Sequence, residues 1–338
     1  MLTIRQQGPA IVLAAGLSLF AGQALAASDE CLLRLVKSVD ENLTAGEIRQ
    51  LCEEEQPVAE EASDDSLVMQ RVARERVVEG TRSVLVPHRR NYFLPVTYSR
   101  NPNVEPFRDA LGEIAVGEDL DRLEAKFQIS LKFSLARNLF LVEDEIFFGF
   151  TAESYWQVYN ADVSAPFRES NYEPEVFWVA PLSWRPLGTD AMLLALGYSH
   201  ESNGRGGELS RGWDRLYANF IFEKDRFVFS LKPWWRIPED EKSDPMDARG
   251  DDNPDITDYM GNFEFTALYR KNEQEIGLML RNNLGSPYRG AVRLDWTFPL
   301  WRGIRGYAQY FNGYGESLID YNARIERLGI GILLTDLL

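Results

Sequence analysis

The sequence predicts a twelve-stranded antiparallel β-barrel that crosses a membrane, preceded by a small disulfide-linked helical segment. Three observations predict it. The N-terminus reads as an export signal. From about residue 91 apolar side chains recur with period two, in segments long enough to cross a bilayer. The connections between those segments alternate between long and short, as in outer-membrane barrels.

The leader comes first. Arg5 supplies a positive flank, and the apolar run Ala10 to Phe20 is too short to span a bilayer. Ala24-Leu25-Ala26 is a small-x-small cleavage site, so residues 1–26 are expected to be removed and the chain to start at Ala27. No later stretch reaches 18 apolar residues, and mean hydropathy is −0.29, which excludes a bundle of membrane helices. The formal net charge of −16 argues against nucleic acid as a partner. Much of that acidity lies in 53–65 and near 239–255, where it reads as solvated tail and loop.

Residues 27–56 hold both cysteines, Cys31 and Cys52. In an oxidising compartment such a pair forms a disulfide, with free thiols or an intermolecular bridge as the alternative. Closing a loop of about 20 residues is worth roughly 3 kcal/mol on the chain-entropy estimate. Leu32, Leu33, Leu35 and Val36 suit a first short helix there. Thr44-Ala45-Gly46-Glu47 suits the capping box of a second. Residues 57–89 are expected to be a linker, acidic at first and then basic, with a short helix leading into the main domain.

The barrel, residues 90–338, follows. Phe127, Ile129, Leu131, Phe133 and Leu135 alternate with Gln128, Ser130, Lys132 and Ser134. Val292, Leu294, Trp296, Phe298 and Leu300 alternate with Arg293, Asp295 and Thr297. The segments are 91–99, 124–136, 145–158, 172–185, 191–202, 213–223, 226–237, 257–270, 273–283, 289–300, 303–312 and 323–336. Long Gly-, Asp- and Asn-rich loops lie on one rim, and short turns such as Lys224–Asp225 on the other. Trp178, Trp184, Trp213, Trp234, Trp235 and Trp301 near strand ends suit aromatic girdles. A barrel of this size with Arg, Glu, Gln and Lys inside is too narrow for a wide pore.

Chemistry concentrates in residues 198–214. His200 and Ser202 are two apart on one strand, so they share a face. A hairpin brings Asp214, at the start of the next strand, back beside His200. Nucleophile, base and orienting acid are then together. Leu194 and Leu196 have the parity of His200 and Ser202, so the pair is expected to face lipid. A polar group there is costly unless paired or serving a substrate that is itself a lipid. His88, the other histidine, reads as structural. A passive barrel, either a narrow pore or a structural protein, is the competing reading.

The stretch His200-Glu201-Ser202-Asn203-Gly204-Arg205, with Ser210-Arg211 and Trp213, resembles the active-site hairpin of the outer-membrane phospholipase A family. Residues 166–174, 251–257 and 313–322 (Gly-Tyr-Gly-Glu-Ser-Leu-Ile-Asp-Tyr-Asn) match it further, in the family's order. The resemblance implies a calcium-dependent, homodimeric hydrolase of phospholipid and lysophospholipid acyl esters, acting on phospholipid in the outer leaflet. It implies His200 and Ser202 as catalytic and Asp214 where the family commonly has asparagine. It places the oxyanion-binding amide at Gly204. Calcium ligands are implied at the Ser210 hydroxyl, the Arg205 carbonyl and Ser164 of the partner subunit. A second calcium site is left open, since Gly207 offers no carboxylate while Glu208 and Asp252 do.

Overall fold

The computed structural model describes residues 66–79, 84–109, 120–161, 165–244, 246–247, 249–301 and 303–336. All belong to one compact unit, Ala62–Leu338. The leader, Cys31 and Cys52 with the helices expected around them, the acidic stretch 53–65 and Ser164 lie outside the described residues.

Twelve strands close into a barrel. They are β2 (Asn91–Ser99), β3 (Leu123–Arg137), β4 (Glu145–Trp156), β5 (Phe167–Pro181), β6 (Ala191–Ser202), β7 (Gly212–Lys224), β8 (Phe227–Arg236), β9 (Phe263–Lys271), β10 (Gln274–Asn282), β11 (Gly290–Trp301), β12 (Ile304–Tyr314) and β13 (Arg324–Thr335). Each pairs antiparallel with its sequence neighbours, and β13 pairs with β2 to close the ring. A two-residue strand, β1 (Val86–Pro87), pairs with β3 at Lys132 and Leu131 and prolongs the edge begun by β2.

The alternation has its expected physical meaning. Ile129, Leu135, Leu294, Trp296 and Leu300 are exposed on the outer wall, while Ser130, Asp295 and Thr297 are buried inside. The lumen is filled by ion pairs that neutralise one another. Arg327 meets Glu124 at 2.6 Å and Glu316 at 2.8 Å. Arg215 meets Glu201 at 2.7 Å and Glu173 at 2.9 Å. Lys126 meets Glu153 at 3.1 Å, and Arg90 contacts Glu275 and Asp295. A cavity of about 470 Å³ remains among them.

Three local features differ from the sequence reading or extend it. β5 begins at Phe167, not near 172. Arg168 and Glu169 break the apolar alternation, so the stretch reads as loop. Both are buried, and Arg168 is held in the strand by Glu124 (3.1 Å) and Asp320 (2.8 Å). Residues 256–260 form a helical turn, α3 (Ile256–Met260; α1 and α2 are Leu67–Glu79 and Glu105–Asp109), where a strand was expected. Ile256 and Met260, four apart, share one helical face and pack with Leu318 and with Trp213 and Trp234, which are buried in this cluster and not set in an outer girdle as their place near strand ends suggests. Gly261, at φ 73°, ends the turn. The third feature falls within the stretch expected as linker. α1 sets Val68 against Leu193, Val228 and Leu268 on the inner wall. Its first turn is held by Glu223, whose carboxylate accepts from the Ser66 hydroxyl and the Leu67 and Val68 amides at 2.7–3.0 Å. A carboxylate at a helix N-terminus satisfies donors that the helix itself cannot.

Candidate active site

β6 and β7 form the hairpin that carries the site, and their register sets its geometry. His200 is the direct cross-strand partner of Asp214, and Ser202 that of Gly212. Along β6, Leu193 and Ala195 are buried, whereas Leu196 and Tyr198 are exposed. His200 and Ser202 share the parity of Leu196 and Tyr198. They therefore lie on the outer surface, at the rim carrying the long loops, as the parity of the sequence requires.

His200 Nδ1 lies 3.0 Å from Asp214 Oδ1. A carboxylate only accepts, so Nδ1 carries the proton and Nε2 is left as the basic nitrogen. Ser202 stands two residues further along the same face. No hydrogen bond joins its hydroxyl to His200 in the structure, and nucleophile–base contacts are commonly loose before substrate binds. The His200 and Asp214 side chains are 44% and 25% exposed, so the pair is reachable from the membrane.

The loop 203–211 is built around Asn203, which is buried. Its Oδ1 accepts from the Arg205 and Arg211 amides (3.2 and 3.0 Å), and its Nδ2 donates to the Leu209 carbonyl (2.8 Å). Gly204 follows with φ +64°, a conformation that suits glycine. Arg205 turns its guanidinium back onto the Arg168 and Phe167 carbonyls and towards Glu169. The Ser210 hydroxyl donates to Asp252 at 2.7 Å. Lys242 also pairs with Asp252, and Arg236 with Asp251, so the loop after β8 is tied behind the hairpin. In that loop Glu239 is held above the ordinary glutamate range, by partial burial first and then by the carboxylates of Asp251 and Asp214.

Calcium fits the oxygen chemistry of this loop. Calcium takes six to eight oxygen ligands, and the Arg205 carbonyl and Ser210 hydroxyl are oxygens of the kind it accepts, with the Asp252 carboxylate 2.7 Å from the Ser210 hydroxyl. The sequence reading missed Asn203 as the organiser of the loop, the Lys242–Asp252 pair and Tyr198, whose hydroxyl lies 2.6 Å from Asp214. Only Tyr198 left a signal, its parity with His200 and Ser202.

The family model described as Phospholipase A1 matches residues 68–334. The chain belongs to the phospholipase A1 family. It is 35% identical to Phospholipase A1 of Klebsiella pneumoniae over 75% of this chain and 83% of that one. The solved outer membrane phospholipase A of Escherichia coli superposes with a TM-score of 0.68 at 33% identity, covering 75% of this chain and 93% of that one. The Salmonella typhi outer membrane phospholipase, solved as a dimer with bound calcium, gives 0.68 at 34%, with the same coverage. The Escherichia coli protein has also been solved as an asparagine-to-alanine active-site mutant. As a family member with this barrel, the chain is a carboxylic ester hydrolase of the Gram-negative outer membrane.

Proposed function

We propose that the chain hydrolyses acyl esters of phospholipids and lysophospholipids, at either acyl position, as a calcium-dependent homodimer using Ser202, His200 and Asp214. One observation carries the reading. His200 Nδ1 meets Asp214 at 3.0 Å on the lipid-facing surface, with Ser202 two residues on. Polar groups at that surface are expensive unless the substrate is itself a lipid that arrives there.

The roles follow from the chemistry of each group. The Ser202 oxygen attacks the ester carbonyl as His200 Nε2 takes its proton, and His200 then returns that proton to the departing alcohol oxygen. Asp214 keeps Nδ1 protonated and steadies the imidazolium that forms. The Gly204 amide donates to the oxygen that gains charge in the tetrahedral state. Water, activated by His200, then releases the fatty acid. Arg205, Ser210 and Ser164 of the partner subunit would hold calcium, which when bound supplies positive charge for the developing oxyanion. The Salmonella typhi relative, solved as a dimer with bound calcium, supports a site finished by a second subunit. The substrate is then phospholipid that has reached the outer leaflet.

A fluorophosphonate probe tests the triad in the folded protein. Stoichiometric labelling at Ser202, lost in His200→Ala, is expected. Labelling elsewhere, or equal labelling without His200, contradicts the assignment.

A further inference from the structure

We infer that Tyr198 is a positioning residue for hydrolysis, its hydroxyl holding the Asp214 carboxylate where His200 needs it. The inference rests on the reading of His200, Ser202 and Asp214 as the reacting and orienting groups.

The geometry comes from the hairpin. Tyr198 is two residues before His200 on β6, and so on the same outer face. His200 stands directly opposite Asp214, and Tyr198 opposite Leu216. Tyr198 is thus the diagonal neighbour of Asp214, a separation that an aromatic side chain bridges. Its hydroxyl donates to Asp214 Oδ1 at 2.6 Å, the same oxygen that lies 3.0 Å from His200 Nδ1. One carboxylate oxygen is therefore gripped from both sides. An aromatic on this surface would ordinarily turn its hydroxyl to lipid head groups.

The chemistry explains the need. To act as a base, His200 starts neutral, so it offers Asp214 an N–H but no compensating charge. A carboxylate facing lipid with one neutral donor is poorly satisfied and would swing towards water or take up a proton. Either change removes the anion from beside Nδ1. The tyrosine hydroxyl is a second donor that keeps the carboxylate in place.

The experiment is a double-mutant cycle in refolded, calcium-supplemented protein, with phospholipid in detergent micelles as substrate. Tyr198→Phe is expected to lower kcat about tenfold with KM within about twofold. In the Asp214→Ala background the same change is expected to lower kcat less than about twofold, because nothing remains to be positioned. Equal losses in both backgrounds, or no loss in the first, would overturn the proposal. Proton NMR gives a second readout, independent of turnover. The chain has two histidines, and His88 Nε2 pairs with Glu175 at 2.8 Å and serves as an internal control. The His200 Nδ1 proton should move upfield and broaden in Tyr198→Phe while His88 stays. An unmoved His200 proton would also overturn it. If Ser202→Ala hydrolyses phospholipid as fast as the unaltered chain, the triad reading has failed. If Ser202→Ala is inert and Tyr198→Phe is fully active, only the role of Tyr198 has failed.

Discussion

Replacing Asp214 by asparagine isolates the charge of the third residue from its shape. Both donors, Tyr198 and His200, use Oδ1, and among the described residues Oδ2 accepts no hydrogen bond. An asparagine can keep its carbonyl oxygen at the Oδ1 position and put its NH₂ where no donor opposes it. Orientation survives, and the anion opposite the imidazolium is lost. Unit charges about 4 Å apart attract by about 4 kcal/mol at an effective dielectric of 20, and by about 1 kcal/mol in water. His200 and Asp214, 44% and 25% exposed, lie on the outer surface at the rim carrying the long loops, where water and lipid head groups meet, so the loss falls between these limits and nearer the lower one. A loss of about 1–2 kcal/mol lowers kcat by roughly five- to thirtyfold. Asp214→Ala removes orientation as well and should lose about a further tenfold or more. The assay is fatty-acid release from phospholipid micelles in excess calcium, with folding checked by heat-modifiable migration on gels. The reasoning is refuted if Asp214→Asn is as inert as Ser202→Ala, or if the alanine variant matches the asparagine one.

Three further outcomes are expected. Ser210→Ala removes a proposed calcium ligand and the hydrogen bond to Asp252, so half-maximal activity should need about tenfold more calcium or beyond, with maximal activity largely recovered at saturation. Glu223→Ala leaves the Ser66 hydroxyl and two amides of α1 without their acceptor, which costs about 1–3 kcal/mol per buried group left unsatisfied; calorimetry should show a lower Tm with catalysis little changed. Burial pushes the Asp144 carboxyl upward, but hydrogen bonds from Trp178 and the Phe140, Leu141 and Leu139 amides outweigh it and hold it below the ordinary aspartate range. The stability it lends that turn is therefore present above the ordinary range and lost as pH falls through the depressed value. Protection factors at those amides, which correct for the intrinsic slowing of exchange in acid, should stay high at pH 5 and fall only below the usual aspartate pKa of about 3.9.

Much of this was legible in the sequence because a membrane barrel obeys one strict rule. Its outer wall must be apolar and its lumen may be polar, so Phe127 to Leu135 and Val292 to Leu300 announce strands and faces at once. The same parity put His200 and Ser202 outside, and the hairpin put Asp214 beside His200. The rule fails where burial is achieved by ion pairs. Arg168 and Glu169 look like loop until Glu124 and Asp320 are seen to hold Arg168 inside. It also fails for elements entering the barrel from outside the sheet. The helix expected ahead of the barrel is present as α1, but where it packs was not legible, and α3 has only five residues; the partners that fix them, Glu223 and the Trp213–Trp234 cluster, are distant in sequence. Lys242 against Asp252 depends on how a long loop folds back, which periodicity does not encode.

The most direct test is fatty-acid release from phospholipid by the refolded barrel, with calcium and with chelator, for the unaltered chain and for Ser202→Ala. The account predicts release by the unaltered chain in calcium alone, rising with protein concentration as dimers form, and none by Ser202→Ala under either condition. Equal release by both chains, unaffected by chelator, would contradict it.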